Sequence, residues 1–145
     1  MKYSYKLSDA IHTLAYIEIT PEDGDVSSNG IANSIEANPS VIRQLMSNMN
    51  KAGLLESQAG AAKPRLARPA SEITLLDVFK AVEINHNLLH VDPNTNIDCP
   101  VGANIQQTLD AAYERVQKAA EAEMSKLTIQ DIVDNINERV QKNAG

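Results

Sequence analysis

The 145-residue chain has a formal charge of −6 and 43% hydrophobic residues, which fits one domain, or a small domain with an appended helical arm, and makes a large catalytic cleft an unfavourable expectation. Only 3% of the residues are aromatic, with no Trp and Phe79 as the single phenylalanine, so the core is aliphatic and packed helices are favoured over a β-sandwich. With no apolar run of about eighteen residues and no basic leader before an apolar segment, neither a membrane span nor a secretory signal is expected, and the expected location is cytoplasmic.

From Tyr5 to Ile19, Leu7, Ala10, Ile11, Leu14, Ala15 and Ile17 recur at mostly helical spacing, with Ser4 as the candidate N-cap. The polar stretch from Thr20 to Asp25 reads as a loop. Ser27 or Ser28 then caps a short helix that buries Ile31, Ala32 and Ile35. Asn38 caps the next helix, with Pro39 at the first helical position, where a missing N–H costs nothing. Ile42, Leu45, Met46 and Met49 form its apolar stripe, and Gly53 suits a left-handed C-terminal cap. Two short helices joined by a tight turn and leading into a strand outline a winged helix-turn-helix. The wing is expected as a hairpin of Leu54 to Ser57 with Pro64 to Ala67 around a Gln58–Lys63 turn, Pro64 sitting at a strand start or an unpaired edge.

Thr74 to Asp77 resembles a capping box and opens a helix to about Glu83 that buries Leu75, Val78, Phe79 and Val82. Residues Asn85 to Pro100 are too polar and interrupted for a regular element. A long helix follows from about Val101 to Leu127, with Ile105, Leu109, Ala112, Val116, Ala120, Met124 and Leu127 alternating in steps of four and three. So small a domain cannot bury that seam, and a second copy packing on it is the expectation. Thr128 caps a last helix carrying Ile129, Ile132, Val133, Ile136 and Val140. The fold class is therefore mainly α with a small β wing. The domain reading is 1–84 for a winged helix-turn-helix DNA-binding domain, 85–100 for a linker and candidate sensor loop, and 101–145 for a helical dimerisation region.

The acidic total conceals an uneven distribution. Residues 39–69 hold Arg43, Lys51, Lys63, Arg65 and Arg68 against the single acid Glu56. A basic patch on an acidic body suits a selective DNA binder, because the body suppresses indiscriminate attraction to phosphates. Ser40, Arg43, Gln44 and Ser47 lie opposite the apolar stripe of the second short helix, where hydroxyl, guanidinium and amide groups can bond base edges or phosphates. Lys51 at the end of that helix and Lys63, Arg65 and Arg68 on the wing are candidate backbone contacts, and Tyr3 and Lys6 near the chain start are weaker ones. The competing reading is a winged-helix module that binds another protein. No nucleophile with a base, no phosphate loop and no paired carboxylates occur in a cleft-like context, so no enzyme is expected.

His86 and His90 are four residues apart with Asp92, Asp98 and Cys99 following, which raises a metal-responsive alternative. Their polar setting gives no fixed tetrahedral site, so no metal and no cofactor are assigned. Cys99 precedes the long helix, where peptide dipoles favour a thiolate while Asp98 opposes it, making Cys99 a candidate redox sensor. As the one cysteine it cannot form an internal disulfide or by itself build a metal centre.

Met1-Lys-Tyr-Ser4, Ile31-Ala32, Asn38-Pro-Ser-Val-Ile-Arg43, Lys51-Ala-Gly-Leu54, Arg65-Leu-Ala-Arg-Pro69, Ile73-Thr-Leu-Leu-Asp77 and Cys99-Pro-Val-Gly102, in this order, resemble the Rrf-two family of bacterial winged helix-turn-helix transcription regulators over nearly the whole chain. The resemblance implies a homodimer joined through the long helix at Ile105, Leu109, Ala112, Val116 and Ala120. It also implies that the helix from Pro39 enters the major groove, with the wing at or in the adjacent minor groove. The implied function is a DNA-binding regulator, read as a repressor on a pseudo-palindromic operator, with double-stranded DNA and a small-molecule or protein effector as partners. Two departures stand out. Family wings carry several glycines and an aromatic residue where this chain has Gln58-Ala-Gly-Ala-Ala-Lys-Pro64, and cluster-binding members need three cysteines where this chain has Cys99 alone.

Overall fold

The computed structural model describes residues 4–56, 63–83 and 85–144. Tyr3 and the wing tip from Ser57 to Ala62 lie outside the described residues. The elements run α1 (Lys6–Ile19), α2 (Ser28–Ile35), α3 (Pro39–Lys51), β1 (Leu55–Glu56), β2 (Arg65–Leu66), a 3-10 turn (Ala70–Glu72), α4 (Leu75–Val82), α5 (Pro100–Met124) and α6 (Ile129–Ala144).

Helix α1 is the hub, packing against α2, α3, α4, α6 and β2. Ala10, Leu14, Ile31, Ile42 and Met49 are fully buried in one aliphatic cluster, each larger side chain contributing about 1.5–3 kcal/mol by its removal from water. Thr13 is buried among them, and its hydroxyl donates to the Asp9 carbonyl at 2.8 Å, one turn back, so the polar atom needs no other partner.

The caps are local and follow from single residues. Ser27 Oγ accepts from Gly30 N at 3.1 Å, and Asn38 Oδ1 accepts from Ser40 N at 2.9 Å ahead of Pro39. Thr74 and Asp77 form a reciprocal capping box on α4, and Thr128 and Asp131 exchange the same two bonds at 3.1 and 3.0 Å to start α6. Ser4 Oγ accepts from Lys6 N at 3.2 Å, whereas the cap position itself is Tyr5. The turn between α2 and α3 begins at Glu36, which is left-handed at φ 61. Gly53 takes φ 78 just after α3, reversing the chain into β1. Strands β1 and β2 pair antiparallel in the register Leu55 with Leu66 and Glu56 with Arg65.

Helices α5 and α6 part company. No residue of the 25-residue α5 is buried. In α6, Ile129 and Val133 are buried in the same cluster as α1 and α4, and Ile132 and Ile136 pack against it. Backbone bonds from Leu75 N to Leu127 O and from Ile129 N to Ile73 O, both 2.9 Å, stitch the α5–α6 corner to the start of α4. The chain thus leaves the winged body along the 85–99 linker, returns along α5 to this corner, and packs α6 onto the body. The sequence reading groups both helices in 101–145, but α6 shares its core with residues 1–84.

Candidate DNA-binding surface

Helix α3 is two-sided. Ile42, Leu45 and Met49 face the core, and at about 100° per residue Ser40, Gln44, Ser47 and Lys51 fall on the opposite side with Arg43 beside them. All five are exposed. Ser40 Oγ donates to Asn38 Oδ1 at 2.8 Å, and Gln44 Nε2 donates to Asn48 Oδ1 at 3.2 Å, so each keeps acceptor capacity toward solvent. The side chains of Arg43 and Lys51 have no hydrogen bond or ion pair among the described residues. Val41 is 45% exposed at the edge of this face. Val41 stands off the i, i+3, i+4 stripe in the first turn of α3, which is the sequence signal for it, since such an apolar side chain can meet a thymine methyl.

The wing cations are arranged differently. Lys63 Nζ donates to the Glu22 carbonyl and, at 3.3 Å, to the Gly24 carbonyl in the α1–α2 loop. Arg65 Nε donates to Glu56 Oε2 at 2.9 Å across the β1–β2 pair, and Arg68 Nη2 donates to Asp77 Oδ2 at 3.3 Å, reaching the capping box of α4. Lys63 tethers the wing base to the loop below it, so a phosphate reaching any of the three must displace an internal partner. In that loop, hydrogen bonds from the Ser27 hydroxyl and amide hold the Asp25 carboxyl below its ordinary pKa. Tyr5 and Lys6 are exposed at the start of α1.

On α5, Ile105, Leu109 and Ala120 are half-buried and Ala112 and Val116 exposed. Val101, 69% exposed and one turn before Ile105, extends the apolar strip and was missing from the seam read in the sequence. The neighbouring face is covered by the linker. Thr95 Oγ1 donates to Gly102 O at 2.7 Å, Gln106 Nε2 to Asp92 O at 3.1 Å, and Gln117 Nε2 to His86 O at 2.6 Å.

Cys99 stands at the N-cap position of α5 at half exposure without a side-chain cap bond, and the nearby backbone amides of Gly102 and then Val101 lower its thiol pKa by favouring the thiolate. The metal-responsive alternative meets a geometric obstacle. Among the described residues no three His, Cys, Asp or Glu side chains gather to hold a metal ion, so His86, His90 and Cys99 are not brought together. His86 Nε2 is turned to the Lys80 carbonyl at 2.9 Å.

The Rrf2 family, described as iron-dependent transcriptional regulator, matches residues 3–135. The chain belongs to the Rrf2 family. A Bacillus subtilis (strain 168) protein named as an HTH-type transcriptional regulator, YwnA, is 37% identical over 131 residues, covering 90% of this chain and 96% of that protein. A crystal structure described as that of a DNA-binding protein superposes with a TM-score of 0.69 at 36% identity, over 88% of this chain and 97% of that one. IscR of T. potens shares the fold with a TM-score of 0.69 at 23% identity, over 96% and 90% of the two chains.

The chain is accordingly a DNA-binding transcriptional regulator with a winged-helix fold, and regulators of this family are not enzymes. No helix among the described residues is long and apolar enough to cross a membrane. The iron dependence in the family description does not fit this chain's own residues: Cys99 is its one thiol, and among the described residues no His, Cys, Asp or Glu side chains converge with it to hold a metal ion.

Proposed function

We propose that the protein is a cytoplasmic repressor that binds a pseudo-palindromic operator as a homodimer, with α3 in the major groove and the wing against the adjacent backbone or minor groove. The sidedness of α3 carries this reading: an apolar stripe fixes the helix to α1, and the opposite face offers Ser40, Arg43, Gln44, Ser47 and Lys51 to solvent. Lys63, Arg65 and Arg68 serve the phosphates once they exchange their internal partners. The dimer is supported by a long α5 with no buried residue, whose Val101, Ile105, Leu109, Ala112, Val116 and Ala120 form a continuous apolar strip.

Sedimentation together with fluorescence anisotropy on a random duplex pool and on the duplexes selected from it tests the proposal. The expected result is a dimer at micromolar concentration and an affinity that falls by orders of magnitude as salt rises through the physiological range. Salt-insensitive or absent DNA binding would favour the protein-interaction module.

Control through Cys99 is a second reading, favoured by the lowered thiol pKa at the joint of linker and α5. Mild peroxide then weakens operator binding by the wild type and leaves Cys99→Ser unaffected. Equal affinity in all four samples would assign control to a small-molecule or protein effector, or to constitutive repression.

A further inference from the structure

Among the described residues, two hydrogen-bonded anchors hold α5 against the winged body. The first is the backbone ladder that joins Ile73 and Leu75 to Leu127 and Ile129 at the C-terminal end of α5. A single anchor at one end leaves a helix able to pivot.

The second anchor lies part-way along α5 at Gln117, about 10 Å from the helix end. Its amide is used at both ends: Nε2 donates to the His86 carbonyl at 2.6 Å, and Oε1 accepts from the Leu88 amide at 2.9 Å. The linker held this way is in turn held by α4. His86 Nε2 meets the Lys80 carbonyl at 2.9 Å, which can only accept, so the ring nitrogen carries the proton and donates. The imidazole also packs on the buried Phe79, with ring centroids 6.1 Å apart. His86 makes both contacts from a left-handed backbone at φ 53, a conformation that costs a non-glycine residue energy and persists only where the surroundings enforce it.

We propose that Gln117 is a positioning residue: by clamping His86 and Leu88 it fixes the angle between α5 and the winged body, and so sets the half-site spacing that two copies of α3 can read. The spacing part rests on the dimer proposed above. The clamp itself acts within one chain. With Gln117 removed, α5 still pairs and the core is untouched, but the body pivots about the corner at residues 73–75 and 127–129. The α3 helices of the two copies then sample a range of separations in place of one.

Two variants and two readouts test this. Gln117→Leu removes both bonds with little change in volume, and Gln117→Glu keeps the acceptor for Leu88 N while losing the donor to His86 O. Spin labels at Asn33→Cys on α2 and Ala111→Cys on α5, in a Cys99→Ser background diluted with unlabelled protein, read the distance within one chain. The distribution is expected to broaden clearly in Gln117→Leu and by less in Gln117→Glu, at an unchanged melting temperature. An unchanged width overturns the clamp.

On a duplex selected by the wild type from a random pool, one base pair added between the half-sites should lower wild-type affinity about ten-fold or more and that of Gln117→Leu less than about three-fold. If the label distances broaden while the spacing penalty stays at the wild-type value, the role in spacing is overturned. If the wild type is monomeric or indifferent to spacing, the dimer reading fails, and the label distances still decide the clamp.

Discussion

Arg43→Ala separates reading from folding. The guanidinium has no partner among the described residues and stands on the exposed side of α3, so its removal breaks no internal bond and replaces it with a better helix former. The change in folding stability should stay within about 0.5 kcal/mol, or roughly 1–2 °C in melting temperature for a chain of this size. A bidentate base contact is worth about 1–3 kcal/mol, and a two-fold symmetric complex contains it twice, which gives about 2–6 kcal/mol on the preferred duplex. That corresponds to a loss of roughly thirty-fold to twenty-thousand-fold. Random duplex senses only the lost charges, so its affinity should fall far less, with the log–log salt slope reduced by about 0.9 for each phosphate contact removed. Anisotropy titrations on both duplexes at three salt concentrations, with a melting curve for each protein, provide the comparison. A loss of equal size on selected and random DNA would refute the reading role of Arg43, and so would a melting temperature lowered by more than about 5 °C, because affinity would then be reporting folding.

Glu56→Gln releases Arg65 from its pair, in which the side chains are 79% and 54% exposed, so stability changes by less than about 1 kcal/mol while affinity rises alike on selected and random duplex and the salt slope steepens. Ile105→Glu combined with Val116→Glu should give a folded monomer by sedimentation and circular dichroism, since no residue of α5 is buried within the protomer; a dimer of wild-type affinity would remove α5 from the interface. Gly30→Ala places a Cβ 2.7 Å from the Asp25 carbonyl oxygen, so the loop ahead of α2 must shift, at a cost of about 1–3 kcal/mol measurable by urea unfolding. Alkylation of Cys99 should rise with a midpoint at lower pH in the folded protein than in the same chain in denaturant, because the Gly102 and Val101 amides favour the thiolate; the same midpoint in both states would show that those amides do not act on the sulfur.

What the sequence discloses here is what short-range physics determines. Asn38 before Pro39, and Thr74 three residues before Asp77, mark helix starts because a cap is satisfied within a single turn. The apolar stripe of α3 is legible for the same reason, since its period follows from helix geometry alone. The stripe of Ile129, Ile132, Val133 and Ile136 shows that α6 buries one face but not which surface receives it. That surface is α1 and the 3-10 turn, reached only after the 25 residues of α5. The partners of Lys63, Arg65 and Arg68 were equally hidden, because they depend on a strand register and on the approach of a loop some forty residues away. Val101 was passed over because it stands at the helix start, where a seam counted inward from Ile105 does not look. The left-handed His86 and its clamp have no sequence signal, since the spacing of His86 to His90 points toward a metal pair and Gln117 is one polar residue among many on α5.

The pairing pattern within residues 39–69 bears on how the proposed regulator distinguishes DNA sequences. An exposed cation already bonded to a carboxylate or a carbonyl gains from a phosphate only the difference between the two partners, whereas an unpaired one gains the whole counterion-release term. Lys63, Arg65 and Arg68 are in the first condition, and Arg43 and Lys51 are in the second. With a formal charge of −6 on the chain, long-range attraction to any duplex is weak, and the favourable electrostatics concentrate on the helix whose other side chains can meet base edges. On the proposed reading, binding energy is then tied to α3 being seated in a groove, which couples affinity to sequence. On the same reading, a surface of uniformly unpaired cations on the wing would raise affinity alike everywhere along the duplex, and the acids Glu56 and Asp77, by holding Arg65 and Arg68 until a phosphate displaces them, would restrain that sequence-independent term.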